Sequence, residues 1–167
     1  MSFKNNLRVL FVGVNPSLNK NDNEEIFRAA KNQFYRLIVA SDIVPYEDAN
    51  MDAMLEKHNM GMINFVDRAT QSEKEITQDE MLHGRKRLEM FVREYQPQLL
   101  CFVGEKCCQY CLYVPRTSNK VEFGAQVRQF ENVPVFCVSH GSTKGPDLTF
   151  DIKLVYYKQL YQYLLQQ

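Results

Sequence analysis

Short runs of consecutive apolar residues alternate along this chain with longer stretches in which apolar residues recur every three or four positions. The first pattern reads as strands buried on both faces, the second as helices with one face on a core. Val9-Leu10-Phe11-Val12 opens as such a strand and stops at Gly13-Val14-Asn15-Pro16-Ser17, where helix and strand are both discouraged. Ile26, Phe27, Ala30, Phe34, Leu37 and Ile38 then recur at helical spacing ahead of Pro45, and Asp48 is placed to cap a short helix carrying Met51, Met54 and Leu55. A second strand, Met60 to Val66, leads into the polar loop Asp67 to Ser72. Thr77-Gln78-Asp79-Glu80 is a capping box, so a helix starts there, with Leu82, Leu88, Phe91 and Val92 as its apolar stripe and Pro97 just past its end. The basic triplet Arg85-Lys86-Arg87 on that helix reads as a solvated face. Leu99 to Val103 is a third buried strand, followed by a short helix holding Cys107, Cys108 and Cys111. Segments around Phe123-Gly124 suggest a hairpin or edge strand, Val133 to Val138 is the last strand, and Phe150, Leu154, Tyr157, Leu160, Tyr161 and Leu164 build a C-terminal helix.

Strands alternating with helices imply an α/β fold, a three-layer α/β/α sandwich around a mostly parallel sheet. With 167 residues and no internal repeat, linker or low-complexity segment, a single domain over residues 1–167 is expected. In such a sheet, ligands bind at loops leaving the carboxyl ends of strands. Two loops qualify: the one at Asn15, and Ser139-His140-Gly141-Ser142-Thr143-Lys144-Gly145-Pro146 after the last strand, the richest polar loop in the chain. Gly13 lets backbone approach a ligand, Pro16 stiffens the exit, and Asn15 presents an amide with its donors and acceptor in one plane. The same residues read equally as an Asx turn after a core strand. Phe27 is either a first core contact or the wall of a pocket. Gly104-Glu105-Lys106 lacks the second glycine and the hydroxyl of a phosphate loop and is set aside.

Charge narrows the partners: 20 basic residues balance 20 acidic ones, so no long-range field advertises nucleic acid, although a local basic face around a cleft remains compatible. No apolar run approaches membrane-spanning length and Met1 to Asn6 has no apolar signal core, so an intracellular protein without a membrane partner is expected. Five cysteines then read as reduced thiols. Cys108-Gln109-Tyr110-Cys111 has the spacing of half a metal site, but no second pair completes it, and no metal or other cofactor is expected.

Beyond these local readings, Gly13-Val14-Asn15-Pro16 resembles the first motif of the mismatch-specific uracil-DNA and thymine-DNA glycosylases, within the uracil-DNA glycosylase superfamily. The similarity continues through Asn32 to Arg36, Gly61 to Thr70, Tyr95 to Gly104 and Phe123 to Gln126, and the last strand with its loop lies where the family's second motif lies. The resemblance implies an enzyme that flips uracil out of duplex DNA, preferentially from G·U mismatches where unstacking costs least, and hydrolyses its glycosidic bond. Asn15 then corresponds to the catalytic asparagine that holds the attacking water, and Phe27 to the stacking phenylalanine. Gly13, Val14, Pro16, Asn64 and Ser142 would complete substrate binding. Ser17, Lys20, Thr143 and Lys144 would contact DNA.

The second motif departs from the family's pattern. Where relatives carry an Asn-Pro-Ser or Pro-Ser-Ser type sequence, this chain has His140-Gly141-Ser142-Thr143-Lys144. Histidine at the first position resembles the wider superfamily, in which it donates to the pyrimidine O2 as the leaving base gathers charge. Ser17 replaces a usual glycine, and Lys20 stands where relatives have a small residue near C5 of the base. The reading is a monofunctional glycosylase, a monomer acting on uracil-containing double-stranded DNA in the nucleus or the cytoplasm. Two alternatives stay open: a catalytically weakened relative that only binds lesions, and a hydrolase of free deoxyuridine nucleotides.

Overall fold

The computed structural model describes residues 4–18, 26–27, 32–113, 120–140 and 148–167. Five strands form one sheet in the order β2-β1-β3-β5-β4. These are β1 (Val9–Gly13), β2 (Met60–Asn64), β3 (Leu100–Val103), β4 (Gly124–Ala125) and β5 (Val135–Val138). The first three and β5 run parallel, and the two-residue β4 closes the edge antiparallel to β5. β1, β3 and β5 are buried at every position, as their unbroken apolar runs require when helices cover both faces. Alternate residues divide the core in two: Val9, Phe11, Cys101, Val103, Phe136 and Val138 face one side, Leu10, Val12, Leu100, Phe102 and Cys137 the other. The first side is covered by α1 (Phe34–Ala40) and α5 (Phe150–Leu165), with Met54 of α2 (Met51–His58). The second is covered by α3 (Gln78–Tyr95) and α4 (Glu105–Leu112). The result is the expected α/β/α sandwich.

Four sequence expectations are corrected. The helical spacing from Ile26 does not yield a helix at Phe27, whose φ of +67° is left-handed; α1 begins at Phe34. Asn50, not Asp48, caps α2, its side chain accepting from Ala53 N at 2.8 Å. Asp48 instead accepts from Lys57 at 3.3 Å and lies 2.7 Å from His58 Nε2. In α3 the buried stripe is Met81, Gly84, Leu88 and Val92, while Leu82 is 39% exposed, because the side chain one position earlier meets the sheet. Arg87 is no solvated charge either: it donates to Asn64 O at 2.7 Å and pairs with Asp67. Both members of the predicted capping box are in place, Thr77 accepting from Glu80 N and Glu80 from Thr77 N, each at 3.1 Å.

Gly84 shows why α3 lies so close to the sheet. A Cβ there would stand 2.5 Å from the Phe65 carbonyl oxygen and 2.9 Å from its ring. Helix propensity alone would make Gly84→Ala stabilising by about 1 kcal/mol. Overpacking against a fixed carbonyl works the other way, and we expect a net loss of roughly 1–3 kcal/mol in urea unfolding at unchanged m-value.

Candidate active site

The pairing of β1 with β2 does not stop where the strands end. Phe65 N donates to Gly13 O and Val66 N to Val14 O at 2.8 Å each, and Thr70 N donates to Pro16 O and Leu18 N to Thr70 O at 3.1 Å each. The two loops therefore run side by side, with Ser17 bridged to Thr70. This brings Thr70 beside Asn15, whose Nδ2 donates to Thr70 Oγ1 at 2.8 Å and to Arg68 O at 2.9 Å. A backbone carbonyl can only accept, so the amide's orientation is fixed: its nitrogen is committed to the loop and its Oδ1 is left to accept from a water or a substrate.

The carbonyl that holds Asn15 is itself held. The Arg68 guanidinium forks onto Glu80, with Nε to Oε2 and Nη2 to Oε1 at 2.9 Å each, and Nη2 also donates to Glu75 O at 2.9 Å. Glu80 thus caps α3 and anchors the loop at once. The Arg68 hydrogen bonds, followed by that from Thr77 N, pull the Glu80 carboxyl from the ordinary 4.5 down to about 2. A depressed carboxyl stabilises the fold above its unfolded value and loses that contribution as pH falls through its folded value. The melting temperature should therefore fall more steeply between about pH 4.5 and 2 in the native chain than in Glu80→Gln.

Phe27 lies against the end of β1. Its ring stacks on Phe34 with centroids 4.2 Å apart and planes at 29°. A Cβ on Gly13 would stand 2.7 Å from Phe27 Cε1 and 3.0 Å from Asn64 Oδ1, so the ring, the Asn64 amide and the bare backbone of Gly13 meet at one point. Gly13, Val14, Phe27 and Asn64 are therefore brought together beside Asn15. The left-handed backbone of a bulky aromatic costs energy, and such strain persists where surrounding contacts impose it. Pro16 and Ser17 continue the same loop, Pro16 half-buried and Ser17 exposed.

On the far side of β3 the chain leaves β5 through Ser139 and His140. Tyr157 of α5 is fully buried and donates to Ser139 O at 3.2 Å. The His140 ring lies over Gly104, where a Cβ would be 3.3 Å from His140 Cδ2; with φ at +112°, Gly104 is also a position that other residues rarely occupy. His140 Nε2 is 3.7 Å from Glu73 Oε2, and Lys106 donates to the Glu73 carbonyl at 3.2 Å. Although the His140 side chain is 43% exposed, burial against the rim dominates its ionisation and lowers its pKa below 6.5, against the opposing pull of Glu73 and with the help of Lys153. The imidazole is thereby biased to its neutral form. Lys20, Ser142, Thr143 and Lys144 lie outside the described residues.

Because the strand order is β2-β1-β3-β5, the Asn15 and His140 loops leave strands separated only by β3. At the spacing of paired strands, their ends stand about 10 Å apart, with Gly104 between them. The chain passes from β1 to β2 on one side and to β3 on the other, so this rim is also the topological switch point where α/β sheets bind ligands.

Several residues of this rim had no assigned part in the sequence reading. Thr70 and Arg68 stand in the predicted polar loop, but nothing local links them to an amide more than fifty positions earlier. Glu73 carries no pattern, and Lys106 stands only in the Gly104-Glu105-Lys106 triplet that does not make a phosphate loop. Lys153 had one legible signal: it stands four residues before Tyr157, on the buried face of α5. The cysteines, by contrast, are core residues; all five are buried and free, and burial pushes the thiols of Cys101, Cys107 and Cys111 up. Residues 1–153 match the family model described as the uracil DNA glycosylase superfamily, a span that contains both the Asn15 loop and His140. The chain belongs to the uracil DNA glycosylase superfamily, a membership that supports a DNA glycosylase activity.

Proposed function

We propose that the protein is a monofunctional glycosylase that removes uracil from double-stranded DNA, preferentially opposite guanine, as the mismatch-specific uracil-DNA and thymine-DNA glycosylases do. The observation that carries this reading is the doubly anchored Asn15 amide, with its oxygen left to accept. A carboxamide is a poor base, so Asn15 acts by holding a water against C1′ and by stabilising the cation-like sugar. The flipped pyrimidine stacks on Phe27, beside Asn64 and the bare backbone of Gly13. An imidazole N–H of His140 donates to O2 as the N1–C1′ bond breaks. The water oxygen bonds to C1′, the base leaves with the electron pair, and the water's proton is lost afterwards, giving an abasic site. Val14 and Pro16 shape the pocket, Ser142 completes it, and Ser17, Lys20, Thr143 and Lys144 contact DNA. Such an enzyme needs no partner copy and works as a monomer.

The test is a set of oligonucleotides bearing U opposite G, U opposite A, T opposite G and unpaired U, incubated with enzyme and nicked with alkali. Strongest release from U opposite G is expected. Tight, salt-sensitive binding to that duplex with no release would instead support the lesion-binding alternative, which the altered second motif favours. Hydrolysis of deoxyuridine nucleotides without any duplex would overturn the reading.

A further inference from the structure

Glu80, Gly84 and Arg87 are spaced four and three residues apart, so they share one face of α3, and that face meets the loop that orients Asn15. Arg87 donates to Asn64 O at 2.7 Å and pairs with Asp67, Gly84 lets the helix come up against the Phe65 carbonyl, and Glu80 receives the Arg68 fork. The backbone ladder joining this loop to the Asn15 loop has rungs at Phe65, Val66 and Thr70 but, among the described residues, none at Asp67, Arg68 or Ala69. Yet the Arg68 carbonyl is one of the two acceptors that turn the Asn15 amide. Its place is set by its own side chain, whose guanidinium makes three hydrogen bonds of 2.9 Å to Glu80 and to the Glu75 carbonyl. That pattern needs a planar fork; a lysine ammonium is a point charge on a flexible stem. The helix cap does not require it, since Thr77 and Glu80 close the capping box by themselves.

We infer that Arg68 and Glu80 are positioning residues for Asn15: the forked pair fixes the Arg68 carbonyl, which together with Thr70 aims the amide oxygen at the reacting centre. With the fork loosened, the carbonyl shifts, the amide turns on its one remaining acceptor, and Oδ1 loses its direction. A misplacement of about 1 Å, caused at a distance from the chemistry, costs on the order of a hundredfold in rate. In this role neither side chain touches DNA, so the loss falls on the chemical step and not on binding. The inference rests on the part proposed for Asn15, but its first test does not depend on base release.

That test is hydrogen exchange of the Asn15 side-chain amide protons, followed by NMR in the full chain and assigned by their loss in Asn15→Ala. In the native protein the nitrogen donates to both Arg68 O and Thr70 Oγ1, so exchange is slow; Arg68→Lys and Glu80→Gln should each speed it several-fold. The second measurement is single-turnover release from U opposite G, which both variants should slow by roughly ten- to a hundredfold while affinity for an uncleavable duplex stays within about twofold. In an Asn15→Ala background either change should cost nothing further, because no amide remains to be aimed. Thr77→Ala is the control for stability alone: it weakens the cap and leaves the fork, so it should lower the melting temperature but keep native exchange and native release. Should Glu80→Gln fail to fold, Arg68→Lys leaves the capping box intact and carries the test by itself. Native exchange in the folded variants overturns the inference and leaves the glycosylase reading standing. Weaker duplex binding in Arg68→Lys with tighter binding in Glu80→Gln also overturns it, since Arg68 would then be a phosphate contact. Faster exchange with undiminished release separates the two: the fork stands as the anchor of the amide, and the water-holding role of Asn15 falls.

Discussion

Asn15→Ala is expected to lower uracil release by roughly two to four orders of magnitude, the range for a positioned catalytic group, with the melting temperature nearly unchanged. The side chain is half-buried, and its two bonds go to a loop already secured by Arg68 and Glu80. On the proposed mechanism, removing it takes away the acceptor for the attacking water and little that holds the fold. Thr70→Val is the graded control. It deletes one of the two acceptors that orient the amide while the Arg68 carbonyl remains, so a loss of about tenfold is expected, smaller than deleting the oriented group itself. Single-turnover measurements on U opposite G, with affinity for an uncleavable duplex as a second readout, check both variants. Near-native turnover in Asn15→Ala would remove Asn15 from the chemistry.

His140→Ala is expected to cost roughly two to three orders of magnitude in the same assay, the loss typical of removing one preorganised donor to developing negative charge. The pH profile gives a second signature. Burial lowers the His140 pKa below 6.5, so the ring stays neutral at pH 7 and the rate should be flat down to about pH 6.5. Below that, protonation pairs the imidazolium with Glu73 Oε2, 3.7 Å away, and an acid limb should appear that His140→Ala lacks. Stability follows the same sign. A base with a lowered folded pKa binds fewer protons than its unfolded form, so its contribution falls as pH drops from 6.5 through the lowered value. A rate that rises on acidification through this window would contradict a neutral donor.

Both predictions concern residues singled out by their place in the linear sequence: polar loops directly after unbroken apolar runs. That relation is local, since an apolar run buried on both faces must end at a sheet rim, and whatever follows is presented there. The same local logic gave the capping box at Thr77 and the edge strand near Gly124. Local logic failed at Phe27, where helical spacing ran on past the point at which the backbone turns left-handed and the ring stacks back on Phe34. It failed again at Leu82, because periodicity alone left the face shifted by one residue, and contact with Phe65 places Gly84 and Met81 inward instead.

The order of apolar runs, the two loops and the asparagine and histidine they carry were determined by the sequence itself, because strand burial and loop chemistry depend on neighbours a few positions away. Only the tertiary structure decided which way the Asn15 amide faces, that Arg68 and Glu80 secure the carbonyl holding it, and that the Glu73 carboxylate stands 3.7 Å from the His140 imidazole. Those are contacts between residues far apart in the chain, set by the strand order β2-β1-β3-β5 and by how closely α3 and α5 approach the sheet. Hydrogen-bond direction and electrostatic balance are properties of such distances, and no spacing along a single chain encodes them.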